Sequence, residues 1–143
     1  MRIRLFALAA ILSSAAFAQN DDLRAKLEGK WQTENSSTAV WVIHQKPDSI
    51  HIARYQGEQP EVEYECNLLG KECNVKDAGR KATVAVYFNG ARLVEIETRG
   101  KETIKRRLLV TGGGDAMDLE VIPIVPEGKP EVVHFKRVSD TKP

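Results

Sequence analysis

From residue 30 onward, apolar and polar positions alternate in short runs rich in Val, Ile, Thr and aromatic residues, the period of a strand with one buried face. Ten such runs cover residues 30–34, 39–45, 49–56, 61–66, 73–76, 81–88, 92–98, 102–110, 116–124 and 131–138. Turn residues separate them: Pro47-Asp48, Gly57, Gly70, Asp77-Ala78-Gly79, Asn89-Gly90, Gly100, Gly112-Gly113-Gly114-Asp115 and Pro126-Glu127-Gly128. Connections this short join antiparallel neighbours, because a parallel crossover needs about a dozen residues or more. The pattern predicts an all-β, antiparallel, up-and-down meander of about ten strands. A meander of that length curls, and closure into a barrel removes its free edges. One short helix precedes it, over 21–28: Asp21 or Asp22 can cap it, Leu23 and Leu27 share a face, and Gly29 ends it.

The apolar sets also predict registers. Around Pro47-Asp48, a four-residue loop pairs Gln45 with Ile50, Ile43 with Ile52 and Trp41 with Arg54, so that Trp41, Ile43, Ile50 and Ile52 share the inner face. Over 61–66 the alternation puts Glu61, Glu63 and Glu65 outside and Val62, Tyr64 and Cys66 inside. At Asn89-Gly90, a two-residue loop sets Val86 against Leu93 but Val84 against Glu95. A three-residue loop with a bulge sets Val84 against Val94 and Ala82 against Ile96. Only the second keeps apolar residues together, so the bulged form is predicted.

The start of the chain has a different character. Arg2 and Arg4 precede an apolar run from Leu5 to Leu12, and Ser13-Ser14-Ala15-Ala16-Phe17-Ala18 follows. A basic start, an apolar middle and a small-x-small end read as a secretory signal peptide over 1–18, cleaved between Ala18 and Gln19. The apolar run falls short of the roughly 20 residues that span a hydrocarbon core. The expected mature product is one domain over 19–143, secreted or periplasmic, with no membrane anchor after cleavage. Without the two signal arginines, 19 basic residues stand against 20 acidic ones. A surface so close to neutral lacks the positive footprint of a nucleic-acid binder. In an oxidising compartment Cys66 and Cys73 are expected to form a disulfide; two thiols with no nearby histidine do not make a zinc site.

Leu27-Glu28-Gly29-Lys30-Trp31 places a Gly-x-Trp at the start of the first strand, just after a short helix. The last strand, Val133-His134-Phe135-Lys136-Arg137, ends on an arginine. In these residues the chain resembles the lipocalin, or calycin, superfamily, in which a first-strand Trp packs at the closed end of the barrel beneath an Arg from the last strand. The resemblance implies a lipocalin-like barrel with Trp31 and Arg137 as that structural pair. A guanidinium over an indole stabilises by roughly 0.5–2 kcal/mol. The chain departs from typical lipocalins in being shorter and in lacking a C-terminal helix and a second disulfide, features that fit smaller calycins such as fatty-acid-binding or avidin-like barrels.

Candidate chemistry is sparse. No nucleophile–base arrangement is evident and no cofactor motif is present, so an enzyme is not expected. The glycine run at 112–114 leads into a strand and not a helix, which makes it a hairpin loop and not a phosphate cradle. His44 and His51 lie opposite each other in the predicted register, at a span that could bridge a transition metal, but no third ligand is identifiable and no metal is expected. Arg54 and Arg106 fall on the inner face, Arg106 in alternation with Ile104, Leu108 and Val110. A buried guanidinium requires a partner. Either these arginines hold an anionic head group, or they pair with a barrel glutamate or reach out at the rim. The small residues Thr33, Ala82 and Thr98, assigned to the inner face, leave room for a cavity. The expected function is binding of a small hydrophobic or amphiphilic ligand in the interior, with Trp41, Arg54, Tyr64 and Arg106 lining the site. The alternative is an interaction or inhibitor module with a filled core, meeting a protein partner through loops 67–72 or 111–115.

Overall fold

The structure, a computed structural model, describes residues 12–138, with side chains from residue 17. Most of the predicted signal segment, residues 1–11, lies outside the described residues. The elements run α1 (Leu12–Ala25), β1 (Gly29–Thr33), β2 (Ala39–Gln45), β3 (Ser49–Gln56), β4 (Pro60–Asn67), β5 (Cys73–Asp77), β6 (Arg80–Asn89), β7 (Arg92–Arg99), β8 (Glu102–Thr111), β9 (Ala116–Val125) and β10 (Glu131–Val138). Each strand pairs antiparallel with its sequence neighbours, and β10 returns to β1, so the meander closes into a ten-stranded barrel. No described helix is long and apolar enough to cross a membrane.

The helix differs from its expected span. It begins at Leu12, where helix-favouring Leu and Ala residues lead, and it ends at Ala25, before the predicted Glu28. The early ending has a cause in the carbonyls that follow. Arg137 donates to the carbonyls of Lys26 and Glu28, and Trp31 Nε1 donates to that of Leu27 at 2.9 Å. These bonds hold 26–28 as a turn that drops fully buried Leu27 into the barrel end. The Arg137 guanidinium lies 4.2 Å from the Trp31 ring centroid. Gly29 has φ +131°, and a Cβ there would meet Arg137 Nη1 at 2.6 Å, so the glycine of the Gly-x-Trp leaves space for the arginine.

Two predicted registers are present. His44 faces His51, Ile43 faces Ile52 and Trp41 faces Arg54; on β4, Val62, Tyr64 and Cys66 are buried while Glu61, Glu63 and Glu65 are exposed. Cys66 and Cys73 form a disulfide between β4 and the start of β5.

The β6–β7 hairpin is a correction. Its loop is Gly90-Ala91, with Asn89 opposite Arg92, and there is no three-residue bulged turn. Gly90 has φ +60°, which a tight turn of this kind needs. Phe88 therefore faces Leu93, Val86 faces Glu95 and Val84 faces Glu97. The inner face of β7 carries Leu93, Glu95 and Glu97, while Val94, Ile96 and Thr98 face outward. Thr98, expected inside, meets Thr103 on the outer surface. Matching apolar residues failed here because two acids are buried, with Arg106 beside them on β8 and Arg54 reaching over from β3 to receive them.

Candidate functional site

Helix α1 and the turns that follow β2, β6 and β8 occupy one end of the barrel. Arg24 Nε donates to the carbonyl of Gly90, and the Gln45 side chain donates to that of Arg24. Toward this end the interior is filled by Leu27, Trp31, Ile43, Ile50, Leu93, Leu108, Met117 and Phe135, all at most 1% exposed. At the other end the described connections are short turns, and inward side chains keep partial exposure.

Between the filled half and the open end lies a cluster of charges. Arg106 Nη1 sits 2.6 Å from Glu95 Oε1 and 3.2 Å from Glu97 Oε1. Arg54 reaches Glu97 at 3.2 Å, Asp77 at 3.7 Å and Glu95 at 4.0 Å. Arg99 joins at Asp77, 3.2 Å away, and reaches the exposed Glu102 at the rim. The Tyr64 hydroxyl donates to Glu95 Oε2. Glu95 is wholly buried, Glu97 nearly so, and the Arg54 and Arg106 side chains are 11% exposed.

All four residues expected to line a site meet here. Arg54 and Arg106 clasp the glutamates, Tyr64 bonds Glu95, and the Arg54 guanidinium stands 5.3 Å from the Trp41 ring centroid. Of the two readings offered for the arginines, pairing with barrel glutamates is the one realised. Sequence reasoning missed Glu95, Glu97, Asp77 and Arg99. Had β7 been paired to bring Glu95 opposite Arg106, as it is, the counterion would have appeared with the arginine. Above the cluster, Ile104 and Val121 share the inner face of β8 and β9 with Arg106, and Val121 and Val133 pack against the core. Apolar Ile104 and Val121 thus adjoin the charged cluster at Arg106.

Burial sets the electrostatics. It works against ionisation of Glu95, but Arg54 and Arg106 with the bonds from Tyr64 and Arg106 outweigh it and hold that carboxyl below its usual range. For Glu97 burial is again the largest influence; Arg54 and Arg106 pull the other way, and neighbouring Asp77 adds to burial, so this carboxyl is raised. Burial and the Glu95 charge push the Tyr64 hydroxyl well up, which keeps it a proton donor. Burial also disfavours the Arg106 cation, but Glu95 and Glu97 more than offset this.

The two histidines of the first hairpin stand 6.2 Å apart between ring centroids. Each is engaged by a carboxylate, His44 Nδ1 with Glu28 at 2.7 Å and His51 Nε2 with Glu63 at 3.0 Å. Among the described residues, no group of three or more His, Cys, Asp or Glu side chains is placed to hold a metal. His134 lies away on β10, paired with Asp118.

No family model and no curated protein sequence matches the chain. Solved structures do. A fatty acid binding protein of Schistosoma mansoni, in complex with arachidonic acid, superposes with a TM-score of 0.64 at 18% identity, over 81% of this chain and 98% of its own. Secretory abundant heat soluble protein 4 of Ramazzottius varieornatus gives 0.62 at 13% identity, over 78% and 94%. A mutant of the fluorescent protein UnaG gives 0.63 at 14%, over 81% and 99%. The likeness is one of fold: a calycin-like, closed ten-stranded antiparallel barrel.

Proposed function

We propose that this protein is an exported, non-catalytic barrel that binds a small, mostly apolar ligand at the open end of its interior. The observation that carries this reading is the convergence of Trp41, Arg54, Tyr64 and Arg106 on one inner-face cluster, which apolar side chains adjoin: Ile104 two residues from Arg106 on β8, Val121 paired with Arg106 on β9, and Val133 on β10. Apolar area removed from water would supply affinity, and the polar wall would set orientation. The likeness to a barrel that holds arachidonic acid supports a mostly apolar ligand of this size. Export rests on the signal pattern of residues 1–18, and the disulfide is consistent with an oxidising compartment. Cleavage after Ala18 would leave Gln19–Ala25 as the helix of the mature chain.

Native mass spectrometry of protein purified from its own compartment tests both parts. A mass that begins at Gln19 and carries a releasable small molecule is the expected result. A ligand-free mass, together with failure to take up the uncharged dye Nile red, would refute the binding reading.

A second reading is favoured by a different observation. The closed half of the barrel is filled, and an outer groove of about 440 Å³ is lined by Lys30, Val40, Val42, His44, Tyr55 and Glu58. Together with the 73% exposed Leu69 in the β4–β5 loop, this suits a protein partner met by the outer surface and loops. Co-purification of a stoichiometric protein in place of a small molecule would favour it.

A further inference from the structure

The charge count of the interior cluster narrows the ligand further, resting on the binding reading above. Three guanidinium groups, Arg54, Arg99 and Arg106, face three carboxylates, Asp77, Glu95 and Glu97, all within 4.0 Å contacts of one another. Arg99 also reaches Glu102 at the rim, another acid. No arginine of the cluster is left without a carboxylate. A fatty carboxylate entering here would add a fourth negative charge to a site with three cations, or would have to displace a glutamate that is already buried. In a poorly hydrated site such an unmatched charge is costly, and the neighbouring acids repel it.

The same cluster retains hydrogen-bonding capacity that carries no net charge. Arg54 Nε and Arg99 Nε are buried donors with no acceptor. A neutral group with a carbonyl oxygen leaves the balance of charge undisturbed; to accept from these two nitrogens, which have no accessible surface, it has to part the side chains that cover them. We infer that the barrel selects an amphiphile with an uncharged, hydrogen-bond-accepting head group, such as an amide, ester or alcohol, and rejects the ionised acid of the same chain length. The anionic head group, one of the two readings of the inward arginines, is thereby set aside: the arginines answer the protein's own acids.

Glu97 is the acid of the cluster whose ionisation burial and neighbouring Asp77 disfavour, against the pull of Arg54 and Arg106. The groups that face Glu97 are Arg54 from β3, Asp77 from β5, and Arg106 from β8, with Glu95 beside it on β7. Removing one acid should free one cation.

The test uses two probes of equal chain length, oleamide and oleate, displacing Nile red from the full mature protein at pH 7.5. Oleamide should displace the dye at a concentration about tenfold or more below that of oleate. In Glu97→Gln, which keeps the shape and removes the charge, oleate should gain about tenfold and the preference should narrow or reverse. Urea unfolding of the variant checks that it is folded before binding is compared. Oleate equal to or tighter than oleamide in the natural sequence overturns the inference while leaving the binding function intact. A folded Glu97→Gln protein with no gain for oleate overturns the charge argument. Binding of neither probe, with no uptake of Nile red, removes the inference and the binding reading together.

Discussion

Replacing Arg106 by Met tests the interior cluster most directly. Methionine keeps much of the length and volume of the side chain but removes the cation that sits 2.6 Å from Glu95 and 3.2 Å from Glu97. Removing one partner of a buried pair costs about 3–5 kcal/mol, since the other charge stays desolvated and unpaired. Glu95 would keep the Tyr64 bond and Arg54 at 4.0 Å, which places the expected loss near the lower end, about 3 kcal/mol. The sign of the pH effect follows from the carboxyls. In the natural protein Glu95 is held low, so its ionisation stabilises above the unfolded value and that contribution fades as pH falls through the folded one. Without Arg106, burial dominates and both glutamates are raised. Their penalty is then full at neutral pH and shrinks as pH falls through their folded values, so the gap between the two proteins narrows on acidification from both sides. Urea unfolding between pH 4 and pH 8 measures this. A folded Arg106→Met protein as stable as the natural one at pH 7.5, with a gap that does not change with pH, would refute the pairing argument.

Trp31→Ala removes a fully buried indole, its bond to the Leu27 carbonyl and its contact with Arg137, and should cost about 3–5 kcal/mol. Trp41→Ala, at the border of the charged cluster, should cost less, and equal losses in urea titrations would make Trp41 ordinary core. Replacing Cys66 and Cys73 together by Ser should lower stability by about 2.5 kcal/mol, from the chain entropy of so short a loop. Peptide mapping without reductant should find the two cysteines joined, and free thiols in exported protein would contradict that.

Much of this fold was legible because most strands obey a simple rule, apolar side chains in and acids out. Ile43, Ile50 and Ile52 agree in only one register, and Glu61, Glu63 and Glu65 mark the outer face of β4 without ambiguity. The same rule misled at β7. Glu95 and Glu97 are acids on the inner face, and a reading that sends acids to water had to invent a bulge to keep Val84 with Val94. The information was present in a non-local form: an inward Arg106 requires a buried acid, and the pairing of β7 with β8 supplies one directly opposite. The start of the helix was hidden for another reason. A signal-like apolar segment and a helix that caps a barrel have the same composition, and periodicity over so few residues does not divide them.

The closure of the ring by β1 and β10 bears on how the chain reaches this state. Trp31 and Arg137 are adjacent in the barrel but lie at opposite ends of the meander in sequence. A growing chain can zip each hairpin as it appears, since neighbouring strands are joined by short turns. The seam must wait for the tenth strand, and until then β1 and the newest strand are open edges able to pair with another chain. The carbonyls of Lys26 and Glu28, and the space above Gly29, likewise wait for the Arg137 side chain. Contacts this distant along the chain are slow to form. The state most open to mispairing is therefore the one in which β9 has paired and β10 has not docked, and a chaperone that shields the β1 edge in that state would raise yield without touching the stability of the finished barrel.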